Sequence, residues 1–412
     1  MAPGLRNYLC VTAAYWADTL TDGALRMLVL FHFYEQGYTA WQVASLFLFY
    51  EVFGIITNLV GGWLAVRFGL KSTLYAGLVT QLAALSMLAF APEPWLTVPW
   101  VMASQAFSGI AKDLTKMSSK SAVKLIAGDC EGQLYKWVAI LTGSKNALKG
   151  VGFFVGGLLL SVTGFQPSLF ILGGLVLSAL LGSALLMRGG IGEASKKAKF
   201  TQMFSNNRAV NLLAAARVFL FGARDVWFVV ALPVFLSSVI GWKFWQAGAF
   251  MASWVIGYGI VQAFTPGILR SRTGKKAPDG KTAVALAAVL AVIPAGIAIA
   301  LESDVAPVLA VPGGLIVFGL VFALNSSVHS FLILAYADNQ KVAQGVGFYY
   351  MANACGRLAG TVLSGALYQH GISGSPIMGL NLCLWASSAF LALTVVISLA
   401  LPRGLKDSQK CM

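Results

Sequence analysis

The chain has 412 residues, of which 58% are hydrophobic and only 11% are charged. A soluble globular chain is about half apolar and about a quarter charged, so this composition excludes a soluble domain and predicts an integral membrane protein. The net charge of +14 arises from basic clusters between hydrophobic runs rather than from one basic face with interleaved aromatics, which argues against nucleic-acid binding.

Hydrophobic runs between charged or Gly/Pro breaks predict twelve transmembrane helices, because about 20 apolar residues are needed to cross a bilayer. The predicted helices are 8–33, 41–65, 72–91, 96–120, 134–160, 167–187, 210–238, 246–268, 282–301, 307–335, 342–368 and 376–400. Lysines and arginines concentrate on one side, and Lys243 is the only base in the opposite loops, so the positive-inside rule places both termini in the cytoplasm. We therefore predict an all-α, multi-pass protein of the inner (plasma) membrane and expect a monomer.

Local matches at a constant offset indicate that the chain is internally duplicated. Trp41-Gln opens the second predicted helix and Trp245-Gln opens the eighth, while Gly152-x-x-x-Gly in the fifth matches Gly356-x-x-x-Gly in the eleventh. Many transporters are built from paired repeats of this kind. The predicted organisation is two six-helix halves, 1–187 and 209–412, with a basic cytoplasmic linker at 188–208.

Twelve helices, a basic central loop and a duplicated half resemble the major facilitator superfamily. Residues 62–71 are similar to its loop motif between helices two and three, with Arg67 at a motif position and Val66 where an acid is usual. Residues 152–157 are similar to its glycine motif of helix five, whose main role is close helix packing. The resemblance implies a transporter with two six-helix halves and makes Arg67 a gating candidate.

Four further blocks, each with charged residues inside a predicted helix, resemble the ArsJ family of organoarsenical efflux permeases. These blocks are Thr21–Leu30, Ser108–Met117, Leu141–Gly150 and Phe219–Phe228. The resemblance implies export of 1-arseno-3-phosphoglycerate, an unstable ester formed when glyceraldehyde-3-phosphate dehydrogenase uses arsenate in place of phosphate. It thereby implies arsenate resistance, with that dehydrogenase as a functional partner that supplies the substrate without necessarily binding the carrier.

Charged residues inside the predicted helices point to an anionic solute. A charge at the bilayer centre costs at least about 2.5–3.5 kcal/mol on insertion scales, so each needs a partner, a watery cavity or a function. Eight such bases stand against five acids, and surplus positive charge selects anions. The predicted substrate-binding residues are Arg26, Lys112, Lys116, Lys145, Lys149, Arg224 and Arg357, with Asn58 and Asn325 as neutral contacts.

Arg26 and Arg224 occupy equivalent positions in the first helix of each half. Organophosphate antiporters of the superfamily hold phosphate with one arginine from each of these helices, and the planar guanidinium fork suits a tetrahedral oxyanion. The alternative is internal pairing. Asp22 lies one turn from Arg26 and can pair with it, whereas Asp225 should pair poorly with its neighbour Arg224 and instead reach another helix, because adjacent helical residues point about 100° apart.

Several assignments stay open on the sequence alone. Lys112 and Lys116 can snorkel instead of binding solute, Arg357 can be the interhelical partner of Glu51 or Asp225, and the asparagines can bond across helices. Arg217 is expected either to act as a gate or to lie near a helix end and snorkel to the interface, rather than to bind solute. His329 is expected to be neutral and hydrogen-bonded rather than a proton relay.

Asp22, Glu51 and Asp225 are the candidates for proton coupling. Neighbouring bases favour their ionised forms and an arriving anion cancels that field, so solute binding and protonation are linked. The alternative is that these acids only neutralise bases within the bundle.

The sequence thus predicts a secondary exporter of an organoarsenical anion, working by proton antiport. The rival hypothesis is a transporter or exchanger of phosphorylated three-carbon metabolites or other organic anions. A receptor is disfavoured because no soluble domain is evident. An enzyme is disfavoured because GxSxG, HExxH and P-loop motifs are absent from the sequence. No cofactor is expected, and scattered cysteines predict no metal site.

Overall fold

The computed structural model describes residues 3–127, 131–187, 207–272, 278–303, 305–336 and 342–402, and within these ranges the regular structure is helical. The predicted linker at 188–208 lies outside the described residues except for its last two positions. The α-helices in the described part are α1 (Pro3–Glu35), α2 (Ala40–Leu46), α3 (Leu48–Phe68), α4 (Leu70–Ala89), α5 (Val98–Ala127), α6 (Glu131–Thr163), α7 (Phe165–Leu186), α8 (Arg208–Phe228), α9 (Ala231–Ser238), α10 (Phe244–Arg272), α11 (Gly280–Glu302), α12 (Pro307–Tyr336), α13 (Val342–Ile372) and α14 (Pro376–Ser398).

These helices correspond to the twelve predicted transmembrane segments. Two pairs, α2 with α3 and α8 with α9, each form one interrupted span. In the described part of the chain, nine spans are long and apolar enough to cross a membrane. The other three, α1, α5 and α13, carry charged side chains within their length, which lowers their apolarity. The prediction of a twelve-helix membrane protein is confirmed.

The interruption between α8 and α9 has a local cause. Pro233 has no backbone N–H, so it cannot donate the helical hydrogen bond to the carbonyl of Val229. The hydroxyl oxygen of Ser364, on α13, accepts from the N–H groups of Val230 at 3.3 Å and Ala231 at 3.1 Å. The first N–H groups of a helix have no acceptor within the helix, and Ser364 supplies one for the start of α9. The break can therefore be buried without leaving these backbone N–H groups unpaired.

The chain divides into two compact units. The first comprises Met1–Phe200 and Trp242–Ile256, and the second comprises Thr201–Gly241 and Gly257–Met412. Helix α10 therefore contributes its first part to one unit and its second part to the other. The charged residues of α1, α3, α5 and α6 all lie in the first unit, and those of α8 and α13 lie in the second.

In the first unit, glycines allow α6 to pack directly on the backbone of α1. A side chain at Gly152 would collide with the carbonyl oxygen of Leu20, and one at Gly156 would collide with that of Ala24. The contact is reciprocal, because a β-carbon on Gly23 would lie only 2.7 Å from the carbonyl oxygen of Lys149. This close approach brings Asp22 of α1 to within 4.0 Å of Lys149 of α6.

The second unit repeats this arrangement between α13 and α8. A side chain at Gly356 would collide with the carbonyl oxygen of Val218, and a β-carbon on Gly360 would lie 2.7 Å from the β-carbon of Asp225. The duplicated glycine motif therefore serves close helix packing in both units, as predicted. In each unit it sets the distance between one charged helix and its partner.

Candidate functional site

The first unit holds a buried group of alternating charges, which we call the first-unit cluster. Its members come from α1, α3, α5 and α6; α5 packs against the other three helices, and α1 also packs against α6. The members are the bases Arg26, Lys112, Lys116, Lys145 and Lys149 and the acids Asp18, Asp22, Glu51 and Asp113.

Arg26 pairs with an acid of another helix rather than with Asp22. Its Nη2 atom donates to Glu51 Oε1 at 3.2 Å, and both side chains are buried. The guanidinium carbon also lies 5.0 Å from the ring centre of Phe47 and 5.1 Å from that of Tyr50, within cation–π range. The alternative pairing of Arg26 with Asp22 along α1 is not found. α3 brings a carboxylate and the Tyr50 ring to the guanidinium, and Phe47, between α2 and α3, supplies the second ring.

Asp22 is bound by two side chains from other helices. It accepts a hydrogen bond from the Tyr50 hydroxyl at 2.6 Å through Oδ1, and its Oδ2 lies 4.0 Å from Lys149 Nζ. Lys112 Nζ stands 3.9 Å from the centre of the same Tyr50 ring. Tyr50 thus joins α1, α3 and α5, although sequence reasoning did not select it. Lys145 is half-buried one turn before Lys149 on α6.

Lys116, Asp113 and Asn58 form a closed triad between α3 and α5. Lys116 Nζ lies 2.5 Å from both Asp113 Oδ1 and Asn58 Oδ1, and the Asn58 amide donates to Asp113 Oδ2 at 3.0 Å. Asn58 therefore bonds across helices, which was the alternative to a role in binding solute. Lys116 is buried and does not extend to the aqueous interface. The side chain of Arg67, the gating candidate further along α3, lies outside the described part.

The second unit holds a smaller group, the second-unit cluster, formed by Arg217, Arg224 and Asp225 on α8 and Arg357 on α13. Asp225 Oδ1 accepts from Arg224 Nε at 2.6 Å and lies 2.5 Å from its Nη2, while Oδ2 lies 3.5 Å from Arg357 Nε. Asp225 reaches another helix, as expected, but the expectation that it pairs poorly with Arg224 was wrong. The arginine side chain is long enough to fold back to its neighbour.

Arg217 is held by neutral groups. Its Nε donates to Asn353 Oδ1 at 3.1 Å, and its Nη1 donates to the backbone carbonyl and hydroxyl oxygens of Ser326, each at 3.3 Å. The guanidinium also stacks over Phe221, 3.8 Å from the ring centre. In the described part of the chain this buried arginine has no carboxylate within ion-pair distance. Asn353 lies one turn before Arg357 on α13, a spacing that could have identified it.

Two further polar residues on α12 are fully buried. Neither ring nitrogen of His329 and neither amide atom of Asn325 has a hydrogen-bond partner among the described residues. The expected hydrogen bond of His329 is therefore not found there. Asn325, a predicted neutral contact for solute, lies one turn from His329 on the same helix face.

In both clusters the basic side chains are more accessible than the acids they neutralise. The exposed fraction of the side chain is 18% for Arg224 and 15% for Arg357, against 2% for Asp225 between them. In the first unit it is 21% for Lys149 and 4% for Asp22. Each of these cations is therefore more accessible than its carboxylate.

Comparisons with known proteins agree with this architecture. Residues 8–361 match the family model described as Major Facilitator Superfamily. A comparison with the curated proteins finds no match. Among solved structures, the chain is similar to a POT family transporter in complex with 5-aminolevulinic acid, with 13% sequence identity and a TM-score of 0.75 over 95% of this chain and 94% of that chain. That similarity concerns the fold. Because the family match extends over far more than half of the sequence, this chain belongs to the major facilitator superfamily, a family of membrane transporters.

Proposed function

We propose that this transporter exports an organic anion, 1-arseno-3-phosphoglycerate, across the plasma membrane and thereby confers arsenate resistance. The observation that supports an anionic solute best is the second-unit cluster, which holds three arginines and one carboxylate, with only two of the arginines in contact with that carboxylate. Arg217 has only neutral partners among the described residues, so its charge is not cancelled. A buried positive charge of this kind favours an anion.

Arginine also fits the chemical groups of the proposed solute. Its planar guanidinium presents several donors in a fixed fork that matches tetrahedral oxyanions, such as phosphate and arsenate groups. A phosphomonoester carries about −1.5 to −2 charges at neutral pH, and the arsenate ester adds comparable charge. We propose that Arg224 and Arg357 bind the solute, because their exposed fractions exceed that of Asp225. Lys149 and Arg26 would serve the same purpose in the first unit.

The organoarsenical assignment rests on the resemblance of four charged blocks to the ArsJ family. Two of these blocks carry an ion pair between their own residues, Lys116 with Asp113 on α5 and Arg224 with Asp225 on α8. Glyceraldehyde-3-phosphate dehydrogenase would supply the ester, and no binding between the two proteins is required. We expect the carrier to work as a monomer.

We further propose that export is coupled to proton entry. In an antiporter of this kind the carrier releases the anion outside, takes up a proton and returns. Carboxylates inside transmembrane helices are the usual proton carriers of such proteins. Asp22, Glu51 and Asp225, the acids that the sequence suggests, all lie in the two clusters, each within 4.0 Å of a base.

Exchange of ordinary phosphorylated three-carbon metabolites is the second candidate, because the same bases would bind them. An arsenate-sensitive bacterium separates the two functions. It should be transformed with the transporter alone, an arsenate-using dehydrogenase alone, both, or neither. We expect arsenate resistance only in cells with both proteins and no gain in arsenite resistance in any strain. Full resistance from the transporter alone would contradict the organoarsenical assignment and indicate transport of free arsenate.

A further inference from the structure

Asp18 differs from the other carboxylates of the first-unit cluster in having no base beside it. Asp22, Glu51 and Asp113 each lie within 4.0 Å of a lysine or arginine nitrogen. No cation lies that close to Asp18 in the described part of the chain, and its Oδ1 atom lacks a hydrogen-bond partner there although the residue is fully buried. An ionised carboxylate in this position is costly, because burial without a paired charge destabilises the charged form.

Among the described residues, Asp18 has one hydrogen-bond partner, the hydroxyl of Thr115 on α5. Thr115 Oγ1 lies 2.6 Å from Asp18 Oδ2 and 3.0 Å from the backbone carbonyl oxygen of Lys112. A hydroxyl has one proton to donate. When Thr115 donates to the carbonyl, which can only accept, the bond to Asp18 requires a proton on Asp18. When Asp18 is ionised, Thr115 turns its proton to the carboxylate instead.

The position of Thr115 is fixed by packing. A β-carbon on Gly77, in α4, would lie 2.6 Å from the methyl carbon of Thr115, so this glycine makes room for the threonine. A β-branched side chain has few χ1 choices in a helix, so its hydroxyl can change its donor direction while its oxygen stays in place.

From these contacts we propose that Asp18 and Thr115 form the proton-binding site of the carrier, and that Asp18 takes up the proton that drives transport. The proposal rests on the proposed proton antiport and assigns the proton to Asp18 in place of Asp22, Glu51 and Asp225. The return step of an antiporter needs an acid that is protonated while no anion is bound. A neighbouring base favours the ionised form of an acid, and Asp18, unlike those three, has no base within 4.0 Å among the described residues. The proton comes from water outside and returns to water inside, and no other bond changes.

Other charged or titratable groups surround this pair. The ones on α1 and on the helices packed against it include most of the first-unit cluster, and α7 carries none. Asp22, Lys112 and Asp113 interact electrostatically with Asp18. The other described titratable groups on these helices are Arg6, Tyr8, Cys10, Tyr15, Arg26, His32, Tyr34 and Glu35 on α1, Lys71 and Tyr75 on α4, Lys116 on α5, and Lys145 and Lys149 on α6.

Infrared difference spectroscopy of the reconstituted full-length protein tests the site without any solute. A pH change should produce a band in the carbonyl-stretch region of protonated carboxyl groups. We expect Asp18→Asn to remove this band, Asp22→Asn to retain it, and Thr115→Val to shift it because the hydroxyl partner is lost. A band that persists in Asp18→Asn, or that Thr115→Val leaves unchanged, would overturn the proposed pair.

Everted membrane vesicles test whether this proton drives transport. The vesicles would be given arsenate, glyceraldehyde-3-phosphate, NAD⁺ as the hydride acceptor and the dehydrogenase, and arsenic uptake would be measured with and without a protonophore. Asp18→Asn should lose the protonophore-sensitive part of uptake and keep exchange of internal for external ester. Loss of the infrared band with unchanged protonophore-sensitive uptake would overturn the coupling role. If wild-type vesicles take up no arsenic while the band is present, the proposed solute fails and the proton-binding site stands.

Discussion

Arg224 donates from Nε to the carboxylate of its sequence neighbour Asp225 at 2.6 Å, although adjacent helical residues point in different directions. The guanidinium folds back over Phe221, 5.0 Å from the ring centre, and Asp225 simultaneously contacts Arg357 of α13. The carboxylate therefore holds two arginines in fixed orientations. We interpret this arrangement as preorganisation of two guanidinium groups for an anion, since neither arginine must be ordered when the solute binds.

Replacement of Arg224 by lysine should abolish most transport while the protein still reaches the membrane. Lysine retains the positive charge but loses the fork that contacts Asp225 through two nitrogens. Arsenate resistance in cells that contain the dehydrogenase measures the effect, with the amount of protein followed by immunoblot. Arg208→Lys, at the exposed first residue of the same helix, is the matched control and should behave like wild type. Wild-type resistance in Arg224→Lys would assign Arg224 a structural role. We expect Arg26→Lys to lose most transport in the same way as Arg224→Lys.

Removal of Glu51 should destabilise the first unit strongly. Glu51→Ala leaves the buried Arg26 guanidinium without its carboxylate, and loss of one partner of a buried ion pair typically costs about 3–5 kcal/mol. Thermal denaturation of the purified protein in detergent should show a lower melting temperature. Glu35→Ala, at the exposed end of α1, is the control and should change it little. Equal melting temperatures for the two variants would show that the pair contributes little to stability.

Replacement of Gly156, on α6, by alanine should separate α6 from α1. A β-carbon at Gly156 would collide with the carbonyl oxygen of Ala24, so Gly156→Ala should lower both the melting temperature and transport. Gly173, in α7, has open space around it, and alanine there should stabilise the helix by about 0.5–1 kcal/mol. Opposite shifts in melting temperature are therefore expected from the same chemical change. A neutral Gly156→Ala would mean that the helices are not in contact at this glycine.

An added acid beside Arg217 should weaken anion transport. Asn353 accepts from Arg217 Nε at 3.1 Å, so Asn353→Asp would place a carboxylate against an arginine that otherwise has neutral partners among the described residues. The surplus charge of the second-unit cluster would fall, and a higher ester concentration should be needed for half-maximal uptake by vesicles. Ser373→Asp adds the same charge at an exposed position just after α13 and should have no such effect. An unchanged half-maximal concentration in Asn353→Asp would argue that Arg217 does not act on the solute.

The sequence predicted the helices and the packing motif because both depend on local composition. Apolar runs of sufficient length define the spans, and Gly152 and Gly356 recur at equivalent places in the duplicated halves. The sequence also contains the signal for the break before α9, which is Pro233. The prediction missed that break, because it gave one continuous helix at 210–238.

The partners of the buried charges were beyond sequence reasoning. Arg26 bonds Glu51 on another helix instead of Asp22 on its own, because helix rotation and the position of the Phe47 and Tyr50 rings decide which carboxylate it reaches. Such orientations depend on tertiary contacts that spacing along one helix does not contain. Tyr50 and Asn353 were missed because neither is charged, although Asn353 lies one turn from Arg357 on α13.

Arsenic uptake by everted vesicles tests the proposed export most directly. Vesicles with the transporter should accumulate arsenic when arsenate, glyceraldehyde-3-phosphate, NAD⁺ and the dehydrogenase are all present, and not when the dehydrogenase is omitted. Vesicles with Arg224→Lys should accumulate little under the complete conditions, and those with Arg208→Lys should match wild type. Equal accumulation with and without the dehydrogenase would contradict the account, because the carrier would then be moving arsenate itself rather than its phosphoglycerate ester.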